Sequence, residues 1–297
     1  FKGMSKEISD FREKTGEEPL WTNSMFGGMP SYQISTKYNA NLIQYIDKIF
    51  RLGLPAPADL VFLYMLGFFI LLMAMRVNPW LSIAGAIAYG FSSYFFIILE
   101  AGHNSKAHAI GYMAPLLAGI ILTYRGKYLL GAIVTMLFMA LEIRANHPQM
   151  TYYLGILVLI LGIFELVDAI RSKGYMHFVK ATSVLIIATI IAVLTHITGL
   201  WATYEYSKYT IRGKSELTTE KENRTSGLDK DYATQWSYGV AETGTLIVPN
   251  FHGGSSAGEL SKNSETYDLL IKNNIPKNQA NSFIKNAPTY WGTQPFT

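Results

Sequence analysis

Apolar and polar residues alternate in long blocks through the middle of the chain. Six apolar blocks stand between residues 60 and 201, and each is separated from the next by a polar connection. They are residues 60–75, 80–99, 109–123, 129–141, 151–167 and 178–201. Such blocks are typical of membrane helices, although several fall short of the roughly 20 residues that a perpendicular crossing requires. The pattern predicts an all-α polytopic membrane protein with six spanning helices.

The connections between the blocks alternate in charge. Residues 76–79, 124–127 and 168–180 are basic, whereas residues 100–108 and 142–150 are rich in His, Asn, Glu and Gln. Because Lys and Arg accumulate in short cytoplasmic loops, the basic connections are predicted to face the cytoplasm. The other two connections, and both ends of the chain, are then extracytoplasmic. The predicted divisions are a first outer segment, a six-helix membrane domain and a second outer segment, namely residues 1–59, 60–201 and 202–297.

The two outer segments carry weaker patterns. In the first, the sequence predicts a helix over residues 6–14 and an amphipathic helix over residues 41–52. The amphipathic helix is equally suited to lying in the membrane interface and to packing on the rest of the outer segment. In the second segment, a strand is predicted at residues 245–248. The chain starts at Phe1 and stops in a Gly/Pro-rich loop, so we expect it to be an internal portion of a longer protein.

The composition narrows the classes of function. The chain of 297 residues is 49% hydrophobic and 15% charged, with a net charge of +4 and no cysteine. The basic residues are dispersed, without the Arg/Lys stripe and interleaved aromatics of a nucleic-acid surface, so a nucleic-acid partner is excluded. Without cysteine there is no disulfide and no thiolate metal site.

The polar connection after the second block is the densest group of ionisable residues in the membrane region. If it is helical, Glu100, Asn104 and His108 lie one turn apart on a shared face, and His103 and Lys106 form a neighbouring pair. These groups can bind a phosphate, coordinate a divalent ion or transfer a proton. The alternative is a hydrophilic link between two helices, but the density of ionisable groups favours function.

The polar connection after the fourth block is predicted on the same outer side. Arg144 can hold a phosphate or a carboxylate through two parallel hydrogen bonds. Three neutral residues have groups suited to sugar hydroxyls: Asn146, His147 and Gln149. The alternative is that Glu142 pairs with Arg144 and anchors the helix end at the interface. The fourth block is expected to continue through both residues, with its charged end in a protein-lined cavity.

The first outer segment holds a third group, in residues 19–30. Trp21 and Phe26 can stack on the apolar face of a sugar, with Asn23 as a polar neighbour. Gly27 and Gly28 permit positive φ and close approach of the backbone. The alternative is that the aromatic rings are simply buried against the surface.

A tight metal site is not predicted, because the sequence has neither a His-Glu-x-x-His motif nor a Cys/His array. The one cofactor left open is a divalent metal ion bound weakly by oxygen ligands, and no ligand residue is assigned to it.

Residues 19–30, 102–106 and 146–149 resemble the YfhO family of bacterial membrane proteins, in particular its long versions in Bacteroidetes-type bacteria. The resemblance covers the whole chain, including Tyr290, Trp291 and Gly292. Members of this family are similar to GT-C-type glycosyltransferases. Those multi-spanning enzymes take a sugar from a polyprenyl-phosphate carrier and deliver it on the outer face. The resemblance therefore implies a GT-C-like fold in the bacterial inner membrane.

The resemblance also implies roles for the residues named above. The reaction would be a direct displacement that passes the sugar to a cell-envelope glycan or protein acceptor. Lys106, His103 and Arg144 would stabilise the departing phosphate, while four residues would orient the substrates: Asn104, His108, His147 and Gln149. Glu100 and Glu142 are reserve acid/base candidates. The base of such enzymes follows the first spanning helix, which is absent here, so we expect it upstream of Phe1 rather than at Glu7 or Asp10.

Two other functions remain open from the sequence. One is a transporter or flippase of lipid-linked intermediates, although the blocks lack paired interruptions or charges at the membrane midplane. The other is a non-catalytic membrane subunit of a larger envelope complex.

Overall fold

The computed structural model describes residues 3, 5–36, 41–210, 234, 237, 239–248, 250–254 and 258–292. Within these residues the chain is all-α apart from one small two-stranded sheet. It divides into two units, Phe1–Tyr206 and Ser207–Thr297, which are described separately.

The first unit begins with helix α1, Lys6–Thr15, which confirms the helix predicted there. Gly16 ends the helix in the left-handed conformation, and its N–H donates to the carbonyl of Arg12. A hairpin follows, in which strand β1 (Trp21–Thr22) pairs antiparallel with strand β2 (Met29–Pro30).

The remaining helices of the first unit form a bundle whose members follow one another through short connections. They are α2 (Ile43–Phe50), α3 (Ala58–Ala74), α4 (Pro79–Gly90), α5 (Ser93–Glu100), α6 (Asn104–Tyr124), α7 (Tyr128–Arg144), α8 (Pro148–Ser172), α9 (Tyr175–Leu194) and α10 (Ile197–Ser207).

Three helices of the described chain are long and apolar enough to cross a membrane, namely α6, α8 and α9. Helices α4 and α5 make a fourth crossing if the bent pair is one span. Helix α8 has 25 residues, which corresponds to about 37 Å and exceeds the roughly 30 Å of a bilayer core. The side chains of α8 and α9 are mostly apolar and exposed, as expected for helices that face lipid. The chain is thus an all-α protein with membrane-type helices.

Two of the predicted spans are interrupted. The second, residues 80–99, breaks after Gly90 into α4 and α5, which meet at an angle of 41°. The last, residues 178–201, breaks at Thr195 and His196, between α9 and α10. At the first break, the small residues Gly90 and Ser92 account for the bend, because Gly and Ser favour helix ends and kinks. By contrast, α7 continues through Glu142 to Arg144, as predicted.

Helix α6 is the centre of the bundle. It packs against α3, α7 and α9, and it contributes more buried side chains than any other described helix. Gly119 in α6 faces Gly131 in α7, and a Cβ on Gly131 would lie 2.7 Å from the Gly119 carbonyl oxygen. The two backbones therefore approach closely, as small residues at membrane helix interfaces allow.

One end of the bundle is closed by basic and aromatic residues. Arg125, after α6, donates to the carbonyl of Ala74 at the end of α3. His177 Nε2 donates to the Tyr124 carbonyl at 2.6 Å. Lys180 Nζ lies 4.4 Å from the centre of the Tyr128 ring. These contacts bring the two basic connections after α6 and α8 to the same end.

The second unit contains two short helices, α11 (Glu265–Lys272) and α12 (Lys277–Lys285), which pack on each other. The strand predicted at residues 245–248 is wrong. That stretch lies at the end of a 3-10 helix, Ala241–Leu246, and the Ile247 and Val248 amides both donate to the Gly244 carbonyl. These amides thus form hydrogen bonds within a local turn, whereas in a strand they would be available to a neighbouring strand.

Candidate functional site

The two polar connections of the membrane region come together at the end of the bundle opposite the basic residues. His147, which precedes α8, interacts electrostatically with Lys106 and His103 at the start of α6. Arg144, at the end of α7, interacts in the same way with His196, which follows α9. We call this region, where α6 and α8 begin and α7 and α9 end, the polar end of the bundle.

Two long helices begin here with histidine at the N-cap position. His103 caps α6, which has 21 residues, and His147 caps α8, which has 25. Neither helix has a side-chain hydrogen bond to its N-terminal amides. The first amides of a helix carry partial positive charge and bind anions when no side chain satisfies them. Both helix ends therefore add to the positive potential of the neighbouring side chains.

His147 has a ring nitrogen that is buried without a hydrogen-bond partner. The atom is Nδ1, and this description covers the partners that the described residues offer. Burial, followed by the positive charges of Lys106 and His103, lowers the pKa of His147 below its ordinary value, against a backbone hydrogen bond that raises it. The ring is thus neutral near pH 7 and lies beside positive groups.

Lys106 is half-buried in the first turn of α6. Its Nζ lies 5.3 Å from the centre of the Tyr94 ring in α5, a cation–π contact. In the described part of the chain no carboxylate pairs with this ammonium group. The charge of Lys106 is therefore available to an anionic ligand.

Arg144 is held by a network of charged residues that sequence reasoning missed. Its Nη1 lies 3.2 Å from Asp47 Oδ2, and Arg51 Nη2 lies 2.8 Å from the same oxygen. Arg51 Nη1 reaches Asp59 Oδ2 at 2.5 Å. The hydroxyl of Tyr112 donates to Asp47 Oδ1. These five residues, called the ion-pair network below, join α2 to α3, α6 and α7.

Asp47 is ionised in this network. Burial raises the pKa of Asp47. The hydrogen bonds from Tyr112 and Arg51 and the charges of Arg51 and Arg144 lower it, and together they outweigh burial, so the pKa of Asp47 is below its ordinary value. A carboxylate with two guanidinium partners is a weak base. The sequence does carry one indication of this network: Asp47 and Arg51 are one helical turn apart, and the apolar Phe50 stands beside Arg51.

Glu142 does not pair with Arg144, so the alternative of an anchoring Glu142–Arg144 pair is wrong. Glu142 is fully buried, at 0% exposure, and both of its carboxylate oxygens accept from the hydroxyl of Thr151, at 2.9 and 3.0 Å. Glu142 and Arg144 are two residues apart in α7, and positions with this spacing point to different sides of a helix. Glu142 points toward α8, while Arg144 points toward α2.

The prediction that Glu100, Asn104 and His108 share one face of a helix is also wrong. Helix α5 ends at Glu100, and α6 starts only at Asn104, after Gly102 with a φ of 71°. The chain turns at this glycine, so Glu100 belongs to another helix. Asn104 and His108 remain one turn apart, and His108 Nδ1 contacts the Asn104 carbonyl at 2.7 Å.

Two further predicted residues, Asn146 and Gln149, are exposed to solvent next to His147 in sequence. Asn146 is exposed and has a positive φ of 54°, a conformation that Asn tolerates better than most residues. Gln149 Nε2 donates to the Tyr153 hydroxyl at 2.8 Å.

Trp21 and Asn23 form a separate group in the hairpin. Trp21 Nε1 donates to Asn23 Oδ1 at 3.2 Å, and the Asn23 amide donates to Glu7 Oε2 at 3.0 Å. The Trp21 ring is 56% exposed and lies against Gly28, where a Cβ would come within 2.8 Å of it. These hydrogen bonds are made within residues 7–23 and not with residues of the polar end.

His196 and Asn41 are two more residues that the sequence did not reveal. Asn41 Nδ2 donates to the Thr195 carbonyl at 3.0 Å and lies 3.4 Å from His196 Nε2. The break between α9 and α10 is therefore tied to the segment that leads into α2. The predicted span, residues 178–201, includes Thr195 and His196, so the sequence did not indicate a polar turn at this position.

The described residues contain no cluster of three or more His, Asp or Glu side chains that could hold a metal ion. No protein-family model, curated protein or solved structure matches this chain.

Proposed function

We propose that this chain is part of a GT-C-like membrane glycosyltransferase. It would transfer a sugar from a polyprenyl-phosphate donor to an envelope acceptor on the outer face of the bacterial inner membrane. The site would be the polar end of the bundle. The proposal starts from the sequence resemblance to the YfhO family and is supported by the arrangement of positive groups at this end.

The proposed topology has six crossings: α3, the pair α4–α5, α6, α7, α8 and α9. Helices α3 and α7 have 17 residues each, or about 26 Å, so they fit a bilayer with a modest local adjustment of its thickness. The basic residues at the opposite end, including Arg125 and Lys180, would face the cytoplasm. Both outer segments would then be extracytoplasmic.

The observation that carries the proposal is the convergence of positive groups where α6 and α8 begin. Two uncapped helix N-termini meet there, with Lys106 and two N-cap histidines beside them. A phosphate group at this position would accept hydrogen bonds from the amides and the Nδ1 of His147, and would neutralise the charge of Lys106. The polyprenyl chain of the donor would extend from the phosphate into the bilayer.

Arg144 would bind the same anion from the other side. The guanidinium is 35% exposed, and its contact in the described residues is the ion pair with Asp47. Asp47 orients one edge of the group and leaves donors for a ligand. When the glycosidic bond breaks, negative charge develops on the leaving phosphate, and Lys106 and Arg144 would stabilise it.

A flippase is the second candidate, and two observations favour it. The α4–α5 break makes a discontinuous helix, a feature found at transport sites. Glu142 is a carboxyl group buried between α7 and α8 with one hydroxyl partner, and buried ionisable groups in membrane helices are often functional. Both features would suit a path for a polar headgroup.

The deciding experiment uses the protein reconstituted in vesicles with a fluorescent polyprenyl-phosphate sugar in the inner leaflet or the outer leaflet. A glycosyltransferase releases polyprenyl phosphate when acceptor is present and moves no lipid between leaflets. A flippase moves the lipid without cleaving it. If neither reaction occurs with a panel of donors, the non-catalytic subunit is the correct interpretation.

A further inference from the structure

Helix α2 buries its carboxylate and exposes several of its large apolar residues. Asp47 is buried, and Ile43 and Phe50 pack beside it on the core. On the other side of α2, Tyr45 is 51% exposed and Ile49 is 68% exposed. Leu42 at the N-cap (69%) and Leu52 just beyond the helix (64%) extend this exposed apolar surface. A water-facing helix would show the reverse order of polarity. The exposed face therefore requires an apolar or interfacial partner.

The position of α2 is fixed by the ion-pair network. Asp47 contacts Arg144 in the last turn of α7, and Arg51 contacts Asp59 in the first turn of α3. Both contacts lie at the ends of apolar helices, where a helix that crosses a membrane leaves the hydrocarbon core. The buried side of α2 contacts the ends of α3 and α7. Its exposed side therefore faces away from the bundle, in the same direction as the surfaces of these helices that would face lipid.

Helix α6 gives a measure of depth. Tyr112, which donates to Asp47, lies six residues after Lys106, a distance of about 9 Å along the helix axis. Interfacial helices bury their apolar face about 5–10 Å into the boundary between headgroups and acyl chains. A helix at the level of Tyr112 would thus lie in this boundary, with Lys106 at the level of the lipid phosphates.

We infer that α2 lies in the interface of the lipid leaflet at the polar end of the bundle, with Leu42, Tyr45, Ile49 and Leu52 inserted among the lipids. Exposed Lys48 lies at the edge of this face, 5.9 Å from the centre of the Tyr45 ring. A Lys beside a Tyr suits this location, because both side chains reach from an apolar region to the headgroups. This inference rests on the membrane location of the helices and is independent of the proposed reaction.

The test uses a polarity-sensitive fluorophore on single cysteines in this cysteine-free chain, with the protein in lipid nanodiscs. Ile49→Cys reports the exposed face of α2, and Leu42→Cys is a second position on the same face. Phe26→Cys is the matched control, because Phe26 is also apolar and is 88% exposed, but lies in the hairpin. Each sample is quenched by lipids with a nitroxide near the headgroup and, separately, by iodide in the water.

We expect the nitroxide lipid to quench the labels on Ile49→Cys and Leu42→Cys at least about twofold more than the label on Phe26→Cys, with iodide giving the opposite order. Stronger quenching of the two α2 labels by iodide would place this face in water and overturn the inference. Protection of both labels from both quenchers would also overturn it, since the face would then be covered by protein.

Discussion

Arg144 Nη1 lies 3.2 Å from Asp47 Oδ2, so the last turn of α7 is joined to helix α2. The arginine that the sequence predicted for phosphate thus has an internal partner as well. The charges in the network balance, because Asp47 and Asp59 face Arg51 and Arg144. A ligand that binds Arg144 would therefore act on the packing of α2 through Asp47.

Asp47→Asn should destabilise the protein. The substitution leaves Arg51 and Arg144 without their shared carboxylate, and breaking a buried pair costs on the order of 3 kcal/mol. The thermal unfolding midpoint of the purified protein in detergent should fall clearly. Asp10→Asn is the control, because the Asp10–Lys6 pair is exposed and should contribute little. Equal midpoints for Asp47→Asn and the unchanged protein would show that the network does not hold α2.

Lys106→Ala and Arg144→Ala should each weaken the binding of a polyprenyl-phosphate donor. A charged hydrogen bond in a partly desolvated site contributes about 1.5–3 kcal/mol, which corresponds to a loss of roughly one to two orders of magnitude in affinity. Affinity can be measured by titrating a fluorescent donor analogue in nanodiscs. Lys180→Ala is the matched control, since Lys180 also packs on a tyrosine ring but at the other end of the bundle. A similar loss in all three variants would contradict a specific site at the polar end.

Gly131→Ala should weaken the contact between α6 and α7. A Cβ at this position would lie 2.6 Å from the Thr123 amide nitrogen, and such overpacking costs about 1–3 kcal/mol. Gly155→Ala, in α8, is the control because a Cβ there meets nothing within 4 Å. The unfolding midpoint should fall for Gly131→Ala only. If both variants unfold at the same temperature, the helices are not packed as closely as described.

The sequence predicted the helices well because their signal is local. Apolar blocks such as residues 109–123 mark a helix wherever it packs, and the continuation of α7 through Glu142 was also foreseen. The breaks at Phe91 and Thr195 are not predicted, since the few polar residues there (Ser92 and Ser93; Thr195 and His196) are outweighed by the apolar residues on both sides. Hydropathy alone therefore joined each broken pair into one predicted span.

The candidate site was predicted only in part because its contacts are long-range. The cluster of His103, Lys106 and His147 could be expected from the alternation of the loops. The partner of Arg144 could not, because Asp47 lies far away in sequence, and the nearby Arg51 and Phe50 do not indicate which other helix Asp47 contacts. Glu142 is nearer to Arg144 in sequence, but two residues along a helix point to different sides, so Glu142 contacts Thr151 instead.

The orientation in the membrane can be tested with three exposed positions. Ser105→Cys and Gln149→Cys lie at the polar end, and Lys127→Cys lies between α6 and α7 at the opposite end. In cells with a permeabilised outer membrane, an impermeant thiol reagent should label the first two and not the third. Because all three side chains are exposed, a difference in labelling would report the side of the membrane. Labelling of Lys127→Cys alone would mean that the polar end faces the cytoplasm.

Anion binding at the polar end should be tighter at lower pH because of His147. The pKa of His147 is lowered in the free protein by burial and by Lys106 and His103, so the ring is neutral near pH 7. A bound anion favours the protonated ring and raises this pKa. One proton is then taken up on binding, and the Kd should rise with pH by at most about tenfold per unit.

The measurement uses a prenyl phosphodiester, because this probe keeps one negative charge between about pH 5 and pH 8, where histidine titrates. Calorimetry in buffers with different ionisation enthalpies gives the number of protons taken up. His147→Gln should bind the probe more weakly at low pH and should remove most of the proton uptake, since glutamine does not titrate. His103→Gln serves as the comparison, because His103 is the histidine that interacts electrostatically with His147. If His147→Gln keeps the full pH dependence while His103→Gln loses it, the proton belongs to His103 and the role given to His147 is wrong.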